Sequence, residues 1–115
     1  MCIRDSCLEA AKEASQEGRK LEVIDVRSLS PLDMATVYES VRRTTRAIVV
    51  QEAPRTQGVG AEIAARLGEE LYYVMEAPVL RVTGWSTPYP PAKAEGEHIP
   101  DVDRILDAVD RSLAF

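Results

Sequence analysis

Histidine is almost missing from this 115-residue chain: His98 is the only one. With no second histidine, and no serine or cysteine set within an obvious pattern around it, no serine–histidine–acid triad or paired-carboxylate site can be assembled. Cysteine is nearly as scarce. Cys2 and Cys7 sit near one end with four residues between them, and no second pair completes a zinc site. Two free thiols suit a reducing compartment. No apolar run approaches the roughly 20 residues that a membrane-crossing helix needs, which excludes a membrane partner of that kind. Basic charge is also in deficit. The net charge is −5 and the pI about 4.9. Such a surface repels phosphate backbones, so nucleic acid is excluded as a partner.

What remains is ordinary for one globular domain: 45% apolar and 29% charged residues. No repeat, linker or low-complexity tract divides it. Residues 1–6 do not continue the helical pattern that starts near Cys7, so they read as an extraneous leader, with the domain proper over 7–115.

Periodicity gives the element order. Cys7–Glu17 reads as an amphipathic helix whose face is Leu8, Ala11, Ala14 and Ser15, ended by Gly18. Leu21–Val26 is β-branched and reads as a strand. Ser30-Pro31-Leu32-Asp33 reads as a helix start capped by Ser30, with Met34, Val37, Tyr38 and Val41 at helical spacing. Arg42, Arg43 and Arg46 gather at its far end, where cations are favoured. Ala47–Val50 is wholly apolar, as suits a strand buried on both faces. A helix then opens at Gly58, with Val59, Ile63, Leu67, Leu71 and Val74 in one stripe. Val79–Val82 is a third strand. Gly84–Glu97, with Pro88, Pro90 and Pro91, reads as a stiff extended loop. A last helix starts at Ile99-Pro100-Asp101, with Val102, Ile105, Leu106, Val109 and Leu113 facing inward. Strands alternating with helices predict an α/β fold with a mainly parallel sheet between two helical layers. Three strands are few for four helices. The first helix has no strand before it, so the domain reads as lacking its opening strand or strands.

Few residues point to chemistry. The amides of Thr56-Gln57-Gly58-Val59-Gly60 open a helix and are of the kind that bind phosphate, but the Gly-x-Gly-x-x-Gly spacing fails at Ile63 and the P-loop ending is absent. Close packing is the expected role of these small residues. His98, beside Glu97 in a charged loop, is expected to be a solvated surface residue. Glu52 and Arg55 follow a buried strand, where α/β proteins gather functional groups; a local ion pair or an interface pair is expected there. Trp85 and Tyr89 in the proline-rich loop are either interface anchors or a cover for the domain's own core edge. Asp101, Asp103, Asp107 and Asp110 give the last helix an acidic face, expected to be solvated, with docking of a basic partner as the alternative.

The longest motifs carry a resemblance. Glu22 to Asp33 (Glu-Val-Ile-Asp-Val-Arg-Ser-Leu-Ser-Pro-Leu-Asp), Gln51 to Ile63 (Gln-Glu-Ala-Pro-Arg-Thr-Gln-Gly-Val-Gly-Ala-Glu-Ile), Ala77 to Trp85, Thr87 to Pro91 and Leu106 to Arg111 together resemble the transketolase-type C-terminal domain. The form they resemble is that of the beta subunit of a thiamine-diphosphate-dependent 2-oxo acid dehydrogenase. The likeness runs from about Cys7 to Phe115. Gln51 stands where the family often has His, and Ser86 where Asp is common. The Thr-Pro-Tyr-Pro-Pro run looks more like the branched-chain members than the pyruvate members. Pyruvate dehydrogenase and 1-deoxyxylulose-5-phosphate synthase are the enzyme alternatives, and a free-standing binding module is the alternative of another class.

The resemblance implies a three-layer α/β/α domain of an α2β2 enzyme. Thiamine diphosphate and magnesium would serve the intact enzyme and not be bound by this segment. The domain would build interfaces with the alpha subunit and a second beta subunit, with Glu52, Arg55, Trp85 and Tyr89 as interface residues. It would also help receive the basic subunit-binding domain of a lipoyl-bearing acyltransferase, through Glu76 and the terminal carboxylate of Phe115. The implied location is the bacterial cytoplasm, or the mitochondrial matrix in a eukaryote.

Overall fold

A computed structural model describes residues 2–115. The first helix, α1, spans Ile3–Gln16. It therefore starts four residues earlier than its pattern indicates, and Ser6, inside the expected leader, is buried. Its buried face is Ser6, Ala10 and Ala14, at spacings of four, while Leu8 is exposed. Small side chains win that face because α1 packs closely on the last helix, where Ala108 is also buried. Gly18 turns the chain with φ +79°, and the Arg19 amide donates back to the Ala14 carbonyl at 2.9 Å. That is the left-handed helix ending the sequence announces.

The next helix, α2, spans Met34–Thr44. Its cap is Asp33 and not Ser30: the Asp33 carboxylate accepts from the Thr36 amide at 3.1 Å and from the Thr36 hydroxyl at 2.6 Å. Ser30 lies three residues upstream of that cap, in a turn closed by a bridge between Leu29 and Leu32. Strand β1 follows (Ile48–Pro54), then α3 (Val59–Leu71) and strand β2 (Leu80–Gly84). The stretch read as an extended loop folds instead into a 3-10 turn at Ala92–Ala94 and a short helix, α4 (Glu95–His98). Its prolines stop at Pro91, so nothing bars a helix beyond that point. The last helix, α5, spans Val102–Leu113, with Asp101 accepting from the Arg104 amide at 2.8 Å.

β1 and β2 pair in parallel, with Ile48 opposite Leu80 and Val50 opposite Val82. Side chains alternate across the strand as its pleat requires. Val49 faces a core of Met34, Val37, Val41, Ile63, Leu67 and Leu71 from α2 and α3. Ile48 and Val50 face the opposite core of Ala10, Val82, Ile105 and Ala108, built on α1 and α5. Helices thus cover both faces, the arrangement a parallel pair demands. Two expectations fall short. Leu21–Val26 pairs with no strand, so the described residues hold two strands rather than three. Ile24 still packs on the α2/α3 core, but strand status needs a hydrogen-bonded neighbour and this segment has none. Val74, beyond the end of α3, and Val59 lie largely at the surface; only Ile63, Leu67 and Leu71 of that stripe are core.

The arginines at the end of α2 each find a carboxylate: Arg42 meets Glu70 at 3.1 Å, Arg43 meets Glu22 at 2.9 Å, and Arg46 meets Glu76. Exposed pairs of this kind contribute little each, but the second holds Leu21–Val26 to the rest of the fold.

The Asp33 cap titrates. Thr36 donates to the charged carboxylate from its hydroxyl and its amide, which holds the folded acid below its ordinary value. The stabilisation is therefore complete above the ordinary carboxylate range and is lost as pH falls through the lowered folded value. Hydrogen-exchange protection in the first turn of α2, taken relative to the intrinsic exchange rate, should fall as pH drops below the ordinary carboxylate range. Asp33→Asn should remove that pH dependence.

Candidate functional site

The carboxyl ends of β1 and β2 and the segment Gly84–His98 form the candidate site. Gln51 anchors its first loop. Its side-chain nitrogen donates to the Pro54 carbonyl at 2.9 Å, and its oxygen accepts from the Gly60 amide at 2.7 Å. A Cβ on Gly58 would lie 2.2 Å from the Gln51 side chain, and one on Gly60 2.7 Å from it. The glycines are there to admit this amide. The helix-start donor of Gly60, the best phosphate candidate in the sequence, is already taken by the chain itself.

Glu52 and Arg55 do not meet as an ion pair. Arg55 donates to the Arg81 carbonyl at 3.2 Å and Arg81 returns a bond to the Arg55 carbonyl at 3.0 Å, clasping the two strand ends. Glu52 turns the other way, to the Tyr89 hydroxyl at 2.7 Å, which also contacts Glu95. One phenol hydrogen thus lies between two carboxylates, Glu95 first and Glu52 second, and their acceptor oxygens hold the phenol well above its ordinary pKa. Trp85 donates its indole N–H to the Glu97 carbonyl at 2.9 Å, and the Arg104 guanidinium lies 4.4 Å from the ring centre, within reach of a cation–π attraction. Trp85 and Tyr89 are each 53% exposed. They are pinned to their own domain along one side and open on the other.

His98 is buried, not solvated. Tyr89 stands edge-on to its ring at 5.0 Å, and Gly84 closes over it: a Cβ there would come 2.6 Å from His98 Nε2 and 2.1 Å from the Glu52 carbonyl oxygen. Charged neighbours in sequence hid this, because the burial comes from Tyr89 and Gly84. Nε2 has no hydrogen-bond partner among the described residues. A small cavity of about 280 Å³ borders Glu52, Thr87, Tyr89 and His98.

Glu76 lies elsewhere, at the other end of the strands. Arg46 joins it, and the same arginine donates to the Ser112 carbonyl at 3.1 Å in the last turn of α5. This bridge brings Glu76 to the helix end that leads to Phe115, itself 66% exposed. The Arg46 contact comes first and a Thr45 hydrogen bond second in holding the Glu76 carboxyl below its ordinary pKa. Beside Glu76 in sequence, Tyr72 and Tyr73 stand exposed in an edge-to-face pair at 5.2 Å. The sequence reading missed both tyrosines and the bridging role of Arg46. The signal was the end of the α3 stripe: apolar residues past Leu71 have no core left to face. On α5, Asp101 caps, Asp107 lies 3.7 Å from Arg111, and Asp110 pairs with Arg19, as a solvated face would.

The residues here do not fit a diphosphate or its metal. The loop donor is occupied by Gln51, and among the described residues no three His, Cys, Asp or Glu side chains gather to hold an ion. No chemical step is assigned to them. No helix among the described residues is long and apolar enough to cross a membrane.

Comparison with known proteins identifies the class of this two-faced parallel α/β domain with polar clasps at its strand ends. The chain belongs to the transketolase C-terminal domain family, whose model matches residues 3–105. Over 108 residues, 94% of the chain, it is 57% identical to the pyruvate dehydrogenase E1 component subunit beta of Leifsonia xyli subsp. xyli. Over 109 residues it is 50% identical to the 3-methyl-2-oxobutanoate dehydrogenase subunit beta of Mycobacterium tuberculosis. These matches cover 32% and 31% of the relatives, so the chain spans about a third of their length. A solved structure described as a split gene transketolase, inactive beta4 tetramer, superposes with a TM-score of 0.81 at 29% identity, covering 97% of this chain and 35% of that one.

The Gly84 contact is the most demanding in the site. Gly84→Ala should lower stability by about 1–3 kcal/mol through overpacking, a fall in melting temperature of roughly 4–8 °C per kcal/mol for a domain near this size. Thermal unfolding followed by circular dichroism checks it. An unchanged melting temperature would show that Glu52 and His98 can yield.

Proposed function

We propose that this chain is the assembly and partner-docking domain of the beta subunit of a thiamine-diphosphate-dependent 2-oxo acid dehydrogenase. The intact enzyme would decarboxylate a 2-oxo acid and pass the acyl group to lipoamide. The observation that carries the reading is the match along nearly the whole chain to beta subunits of two such enzymes. The local geometry agrees with it: Gln51, Glu52, Arg55 and Arg81 at the strand ends bond within the domain, while Trp85 and Tyr89 keep an open side. Buried against the alpha subunit or a second beta subunit in an α2β2 enzyme, such aromatics are strong anchors.

The Thr87–Pro91 run supports a branched-chain acid as substrate; the 57% identity to a pyruvate-named subunit supports pyruvate. Reconstituting a longer beta subunit bearing this domain with its alpha subunit, and comparing the two acids, separates them. The present chain alone should turn over neither acid in the presence of thiamine diphosphate and magnesium, and turnover above background would defeat the assignment.

For docking, we place the basic subunit-binding domain of a lipoyl-bearing acyltransferase on the corner formed by Glu76 and Phe115. An acidic chain steers a basic partner towards it. Titration calorimetry with such a domain should show binding that weakens with salt. Glu76→Lys should reduce the affinity at least tenfold, as should removal of Phe115. Salt-independent binding indifferent to both changes would move the contact elsewhere.

A further inference from the structure

Glu52 and Glu95 are both half-buried, and a single hydroxyl, that of Tyr89, serves them both. A phenol carries one hydrogen, so it bonds one carboxylate at a time while the other meets only its lone pairs. Among the described residues neither acid has a lysine, arginine or histidine nitrogen in ion-pair range. The arginines of the same region are committed elsewhere: Arg55 and Arg81 to each other's carbonyls, Arg104 to the Thr83 carbonyl and the Trp85 ring. Two negative charges therefore sit partly out of water with one donor between them, an arrangement that is costly until a cation joins it.

A second observation points to the same place. His98 is 4% exposed and borders the cavity of about 280 Å³ together with Glu52, Thr87 and Tyr89, and its Nε2 bonds to nothing among the described residues. An imidazole nitrogen without a hydrogen accepts a bond. The side chains around the cavity thus offer acceptors and an aromatic ring, and Ala53 and Pro54 complete the wall with apolar surface. The volume falls just below the roughly 300–1,000 Å³ of pockets that hold whole small-molecule ligands, which suits the tip of one side chain.

We infer, on the reading of Glu52 and Tyr89 as interface residues, that this cavity receives the guanidinium of an arginine from a neighbouring subunit. Guanidinium meets each demand at once. It is cationic, its planar fork of N–H donors serves carboxylate and imidazole together, it stacks on an aromatic ring, and it is more weakly hydrated than an ammonium group. An ammonium would hold its water shell against the apolar wall of Ala53 and Pro54. A metal ion lacks its ligands, since among the described residues no three His, Cys, Asp or Glu side chains gather to hold one. The net charge of −5 draws a cationic side chain towards the site.

Nuclear magnetic resonance titration of the present chain tests the cavity with N-acetyl-arginine methylamide, set against its lysine analogue and its neutral citrulline analogue. The arginine probe should shift the His98 and Tyr89 ring protons saturably, and bind roughly tenfold more tightly than the citrulline probe and more tightly than the lysine probe. Glu52→Gln, the same shape without the charge, should reduce that affinity roughly tenfold; Glu95→Gln repeats the measurement should the first variant fail to fold. Glu62→Gln, at an exposed position of α3, should leave the affinity unchanged. Equal shifts from the citrulline or lysine probe, or from sodium or potassium chloride at the same ionic strength, would overturn the inference, as would unchanged affinity in both cavity variants. In a longer beta subunit reconstituted with its alpha subunit, Glu52→Gln should weaken assembly roughly tenfold by analytical ultracentrifugation, and the arginine probe should compete with assembly. Specific probe binding with assembly indifferent to Glu52→Gln would overturn the neighbouring arginine as occupant. Normal assembly without specific probe binding would sink the cavity and leave the interface standing. Specific probe binding by a beta subunit that never assembles would sink the interface, and with it the arginine it supplies.

Discussion

The parallel ladder between β1 and β2 carries the whole arrangement, because it is the only hydrogen-bonded sheet contact among the described residues and it separates two helical layers. A parallel pair must be apolar on both faces. Ile48, Val49 and Val50 meet that demand by alternation, sending one side chain to α2 and α3 and its neighbours to α1 and α5. The helices can then bury their stripes without touching each other through the sheet. All that lies at the carboxyl ends of the strands, from the Gln51 anchor to the Arg55–Arg81 clasp, is positioned by where this ladder stops.

The polar contacts beyond the ladder tie the domain to itself. They are inward-looking: side-chain amide to backbone, guanidinium to carbonyl, phenol between two carboxylates. None combines a nucleophile with a base. That pattern suits a domain whose work is to hold shape while neighbouring surfaces do chemistry, which is the part proposed for it within a larger beta subunit.

The sequence was most legible where one local signal decided the outcome. Gly18 marked a helix ending with no other residue needed, and the unbroken Ala-Ile-Val-Val run marked a strand covered on both faces. It was least legible where remote residues decided. Leu21–Val26 has the composition of a strand, yet strand formation depends on a partner that no local pattern can supply. The α1 face was misassigned because Leu8 outweighs alanine in any hydropathy pattern, whereas contact with α5 favours the smallest side chains. His98 went wrong for a similar reason: Glu97 next to it signals water, and Gly84, fourteen positions earlier, removes it. The transketolase-like motifs gave the family because they run in order along the chain, while the closeness of Glu52 and Arg55 in sequence suggested a local ion pair where each in fact binds elsewhere.

The Gln51 anchor has a consequence for how this loop evolves. Its amide fills the space that side chains at positions 58 and 60 would need, so the three positions form one epistatic unit. A larger residue at 58 or 60 would push the Gln51 amide aside, and a displaced amide gives up its bond to the Gly60 N–H. The turn into α3 then loosens, so substitutions at these three sites are coupled through one side chain.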